Sequence, residues 1–88
     1  MRQAQIRTVC ECQADLVATL DEQRLVLEAA AIHPSDGTRE VAPAHTIHPE
    51  RPRFDVGWLC PYCGRNTLRS FYADALAYRD VEPKAPSA

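Results

Sequence analysis

Four cysteines, able to bind a soft metal ion or to exchange electrons, stand out in the sequence. They fall in two pairs, Cys10 and Cys12 in "TVCECQAD" and Cys60 and Cys63 in "GWLCPYCGR". In the second pair, Pro61 suits the second position of a turn, and Gly64 can take a positive φ just after it. Such a turn brings Cys60 and Cys63 to one side and aims backbone N–H groups at the sulfurs, which favours thiolate. Two adjacent ligands of a tetrahedral ion need this geometry. The first pair has a single spacer. In an extended segment residues two apart share a face, so Cys10 and Cys12 can reach a common metal without a full turn.

The expectation is one structural zinc held by Cys10, Cys12, Cys60 and Cys63. A closed four-thiolate site leaves no open position for water or substrate, which argues against metal catalysis. No nucleophile–base pair and no phosphate-binding glycine loop is visible, so the chain is read as a non-enzyme. The N-terminus "MRQAQIRTVC" has no apolar leader region, and no segment approaches membrane-spanning length. A cytoplasmic location, with no membrane partner, is expected. Thiols there stay reduced, so paired cysteines are read as metal ligands and not as disulfides.

Charge bears on the partner. Lys plus Arg is 10, Asp plus Glu is 12, and the formal net charge is −2. Four thiolates on one divalent ion would lower it to about −4. That is the wrong sign for a chain that binds mainly through phosphates. Arg51, Arg53, Arg65 and Arg69 are expected near the metal end, interleaved with Glu50 and Asp55. A protein partner is therefore preferred over nucleic acid.

The chain has 88 residues, which suggests a single domain over 1–82 with a disordered tail at 83–88. The stretch "ADLVATLDEQRLVLEAAAIHP" has two readings. As a hairpin, Leu16–Leu20 and Leu25–Ile32 are strands around "DEQR". As a helix, Thr19 caps and "LDEQRLVLEAAA" has good propensity. The hairpin is preferred because a short metal knuckle is commonly followed by one. From 33 to 53 the four prolines suggest a long surface loop, with a short edge strand near Arg39–Val41. "RFDVGWLC" alternates as a strand. "NTLRSFYADALAYRD" places Leu68, Phe71, Tyr72, Ala75 and Leu76 at helical spacing, with Asn66 or Thr67 as cap, so a C-terminal helix is expected; a strand through "TLRSFYA" is the alternative. The fold class expected is α+β.

At these residues a family resemblance enters. "GWLCPYCGR" resembles the second knuckle of zinc-ribbon and treble-clef zinc fingers. "TVCECQADLVATLDEQRLVLEA" resembles a first knuckle running into the ribbon hairpin. With a helix starting at the second pair, the layout is also similar to GATA-type fingers. The resemblance implies a structural zinc on the four cysteines and a binding role. The one-residue spacer and the long separation of the pairs depart from the pattern.

The function expected is a zinc-stabilised protein-interaction module, an adaptor or regulatory subunit. The first alternative is a nucleic-acid-binding transcriptional regulator. The second is a thiol oxidoreductase using Cys60 and Cys63, since "CPYC" is similar to a glutaredoxin active-site sequence. That alternative leaves Cys10 and Cys12 unexplained. Tyr62, at the knuckle tip, is a candidate exposed contact. Trp58, Phe54, Phe71 and Tyr72 are candidate core. His33, His45 and His48 are read as solvated loop residues.

Overall fold

The structure is a computed structural model that describes residues 2–80. Its elements are strands β1 (Arg2–Val9), β2 (Asp15–Leu20), β3 (Val26–Ile32), β4 (Arg39–Val41), β5 (Ala44–Ile47), β6 (Arg53–Leu59), β7 (Asn66–Tyr72) and β8 (Arg79–Asp80), with one 3-10 turn at Ala73–Ala75. The first sheet has order β4-β3-β2-β1-β8 and the second has order β5-β6-β7.

The expected α+β class is therefore wrong. No α-helix occurs among the described residues, and the segment read as a C-terminal helix is β7. The physical reason is tertiary. Gly64 turns the chain back on itself, and residues 66–72 pair antiparallel with β6 in an unbroken register from Leu59↔Asn66 to Arg53↔Tyr72. Thr67 is buried and Phe71 half-buried, while Leu68 and Tyr72 face solvent. The two-residue alternation of a strand governs this segment.

The β2–β3 hairpin forms at the expected place, and so does the edge strand Arg39–Val41. The stretch read as one long loop holds a second strand, β5. Pro43 sits between β4 and β5, at the crossing from one sheet to the other. Its carbonyl accepts from Leu59 N–H at 2.8 Å, while Ala42 N–H donates back to Ala29 at 3.2 Å. The tail 83–88 lies outside the described residues.

The core lies between the sheets. Phe54, Val56 and Trp58 alternate on the inner face of β6 and meet Leu16, Ala18 and Leu20 of β2, with Ala31 and Ile6 beside them. Burying one such large side chain stabilises by about 1.5–3 kcal/mol. The Trp58 indole N–H donates to the Val17 carbonyl at 3.2 Å, so the largest core side chain also joins the two sheets by a hydrogen bond.

Candidate metal centre

Two hairpin turns build the site. One joins β1 to β2, the other β6 to β7. In the first, Cys10 N–H donates to Ala14 C=O at 2.9 Å, Gln13 N–H donates to Cys10 C=O at 2.8 Å, and Gln13 has φ 72°. In the second, Cys60 N–H donates to Arg65 C=O at 3.0 Å, Gly64 N–H donates to Cys60 C=O at 2.8 Å, and Gly64 has φ 73°. The two turns are the same device at different lengths. Each opens on a buried cysteine, carries its second cysteine just before a left-handed residue, and then re-enters a strand. The first is a three-residue hairpin loop with the left-handed residue last, a common form. The missing spacer of "CEC" thus follows from the shorter loop. Cys10 and Cys12 do not share an extended segment, contrary to the sequence reading.

The four Sγ atoms all lie within 4.8 Å of one another. Cys10 to Cys63 is 3.5 Å and Cys12 to Cys60 is 3.6 Å, both across the two turns. Tetrahedral thiolates about 2.3 Å from one ion stand roughly 3.8 Å apart. The cluster fits that arrangement, with soft donors only. Cys10 and Cys60 are buried, Cys12 is half-buried and Cys63 is exposed.

Backbone donors serve the sulfurs. Burial pushes the Cys10 thiol up, but the Cys12 N–H, the Cys63 thiol and the Thr67 hydroxyl outweigh it and bring Cys10 down to about 6. At Cys12 the Ala14 N–H pulls down, and burial with the Cys10 and Cys60 thiols reverses it into a net rise. At Cys63 the Arg65 N–H pulls down, but partial desolvation of the sulfur and the three other thiols push it up to about 12. One proton leaves this cluster easily and later ones resist, because thiolates crowd a small volume. A divalent cation at the centre would relieve that repulsion.

Thr67 is a partner the sequence reading missed. Read there as a helix cap, it is buried on β7 and hydrogen-bonds Cys10. Only its place after the knuckle could have hinted at this. Arg65 pairs with Glu11, tying the second turn to the first over the exposed side of the cluster.

The other sequence candidates disperse. Tyr62 is not an exposed contact. Its hydroxyl donates to Thr38 C=O at 2.6 Å and approaches Ala31 C=O at 3.4 Å, and its ring meets His33 edge-on with centroids 4.9 Å apart. Burial, then the charges of Glu40, Asp36 and Cys60, raise its pKa, which keeps the hydroxyl a donor. His33 Nδ1 is engaged by Ser35 Oγ at 2.9 Å. His45 is exposed on β5, and His48 sits in a turn 3.6 Å from Glu50. None of the three joins the cysteines. Arg65 is at the site. Arg51 and Arg53 are not, because β6 carries the chain about 20 Å from Arg53 to Cys60. Trp58, Phe54 and Phe71 pack together, with ring centroids 6.1 Å apart in each pairing with Phe71, but Tyr72 is 56% exposed.

No protein-family model, no curated protein and no solved structure matches the chain.

Proposed function

We propose that the protein is a non-enzymatic interaction module of the zinc-ribbon kind, stapled by one zinc ion on Cys10, Cys12, Cys60 and Cys63. The carrying observation is the convergence of four sulfurs from two hairpin tips, one in each sheet. A metal there joins the sheets at one end, where a chain this short needs a staple. All four donors are thiols, which suits zinc and leaves a closed coordination sphere. The oxidoreductase alternative loses support, since a turn and a strand follow Cys63 in place of the helix that lowers a thiol pKa at its N-terminus, and since it leaves Cys10 and Cys12 unexplained. The protein partner is preferred over nucleic acid because the arginines are spread over both ends of the molecule and the net charge is negative.

Native mass spectrometry of the protein purified under reducing conditions tests the reading. One zinc per chain is expected, lost together with folded structure on chelation. A metal-free chain that stays folded and cooperative would overturn it.

A further inference from the structure

We propose that the open edge of β7 is a docking site for an extended, acidic strand of a partner protein. This rests on the interaction-module reading and gives it a surface and a partner chemistry.

The pairing register shows what the edge offers. Cys60 N–H to Arg65 C=O, at 3.0 Å, closes one end of the β6–β7 ladder, and Ala73 N–H to Pro52 C=O, at 2.7 Å, closes the other. Hydrogen-bonded and non-hydrogen-bonded pairs alternate between those ends. Thr67, Arg69 and Phe71 therefore exchange bonds with Trp58, Val56 and Phe54. Asn66, Leu68, Ser70 and Tyr72 direct their N–H and C=O groups away from β6. Two contacts check this independently. Leu59, opposite Asn66, sends its N–H to Pro43 on the β5 side. The Leu68 carbonyl accepts the guanidinium of Arg69 at 3.0 Å. Among the described residues no strand pairs with the outer side of β7. β4 and β8 are too short to template a strand, and β5 lies close to β3.

Side chains define the occupant. Leu68 and Tyr72, 54% and 56% exposed, stand where alternate residues of an added strand would lie beside them. Arg69 projects from the other face, between Thr67 and Phe71, and is exposed. With Arg65, Glu11 and Leu68 it lines a concavity of about 320 Å³ along this edge. Glu11 is already paired with Arg65. Among the described residues Arg69 holds only a carbonyl of its own strand, which leaves it as the charge for an incoming carboxylate. A second copy fits poorly. The longest antiparallel self-pairing, Asn66 against Tyr72 and Leu68 against Ser70, sets Arg69 against Arg69. A charge on the core-facing side of an edge strand is a common guard against such pairing.

The test uses the intact zinc-loaded chain, labelled for NMR, and two soluble ten-residue peptides of alternating valine and threonine. One carries glutamate at its centre and the other carries lysine. The glutamate peptide is expected to shift and protect the amides of Asn66, Leu68, Ser70 and Tyr72, and to bind about fivefold more tightly than the lysine peptide. Leu68→Pro removes an edge donor that the fold does not use and should weaken binding about tenfold with metal content unchanged. Arg69→Glu should reverse the peptide preference, and it decides the matter if the proline variant does not fold. Absence of binding, shifts centred elsewhere, or indifference to peptide charge would overturn the proposal. So would a dimer in sedimentation that Leu68→Pro dissolves, or oligothymidylate binding that survives Leu68→Pro. The peptide arms read the edge alone, so their failure leaves the zinc measurement standing.

Discussion

Arg24 reaches from the β2–β3 turn of one sheet to the Pro49 carbonyl beside the other, with Nε to O at 2.5 Å. Its own carbonyl accepts the Thr46 hydroxyl at 2.7 Å, and its guanidinium lies 5.8 Å from the Phe54 ring centroid. The four cysteines converge from the hairpin tips at one end, and Arg24 ties the turns at the other. The core strands run between them.

Arg24→Ala should destabilise the metal-loaded protein by about 2 kcal/mol, from a lost charged hydrogen bond and a lost cation–π contact. Metal content should be unchanged, because the cysteines are at the far end. Urea unfolding followed by Trp58 fluorescence measures it. A loss below about 0.5 kcal/mol would mean that Arg24 decorates the turn without holding it.

Cys60→Ser should remove bound metal and most of the cooperative unfolding transition. Zinc binding in small structural sites contributes about 10–16 kcal/mol, more than the whole stability of an ordinary small domain. Calorimetry of wild type, the variant and chelated wild type checks this. The variant and the chelated protein should behave alike.

The left-handed positions of the two turns predict opposite effects of glycine chemistry. Gln13 has φ 72° with a side chain, and Gly64 has φ 73° without one. Holding a side chain in that region costs about 1–2 kcal/mol. Gln13→Gly should stabilise by up to about 1 kcal/mol, and Gly64→Ala should destabilise by about 1 kcal/mol. Among the described residues nothing beyond its chain neighbours lies within 4 Å of a Cβ added at Gly64, so a clash plays no part there. Thermal melts of the metal-loaded proteins give the signs.

The carboxyl of Asp36 is held below its ordinary range, first by the Thr38 backbone N–H at 2.9 Å. A lowered acid stabilises when ionised. Protection of the Thr38 amide should therefore be full above the usual carboxylate range. It should fall as pH drops through the lowered value. Asp36→Asn should flatten that dependence in a hydrogen-exchange series.

Much of this architecture was legible in the chain. Phe54, Val56 and Trp58 alternate openly, and the two-residue spacing correctly gave a strand with that face inward. The cysteine spacing brought four thiols together on paper before any topology was known. The C-terminal helix failed because Leu68, Phe71, Tyr72, Ala75 and Leu76 happen to match a helical stripe. What decides the matter is long-range pairing with β6, which local spacing does not carry. Arg24 was invisible for a similar reason. Its partners Pro49, Thr46 and Phe54 are more than twenty residues away, and a left-handed arginine, φ 65°, has no sequence signature. Thr67 looked like a cap because a hydroxyl near a turn usually is one.

Tyr62 carries the last prediction. It sits between two of the cysteines, yet its hydroxyl leaves the cluster and bonds Thr38, in the β3–β4 connection. The Cys60–Cys63 turn is thereby tied to the loop of residues 33–38, whose His33 ring packs against the Tyr62 ring. Tyr62→Phe keeps the ring and removes the hydroxyl. It should cost about 1 kcal/mol, since the Thr38 carbonyl loses its donor but stays exposed enough to find water. Metal stoichiometry should not change. Amide exchange should speed up in residues 33–38 and stay constant in β6, because Trp58 keeps its own bond to Val17. Tyr62→Ala should add the loss of the His33 contact and loosen the loop further. Uniform acceleration through β6 and the loop in Tyr62→Phe would show instead that the hydroxyl supports the whole fold and not this one connection.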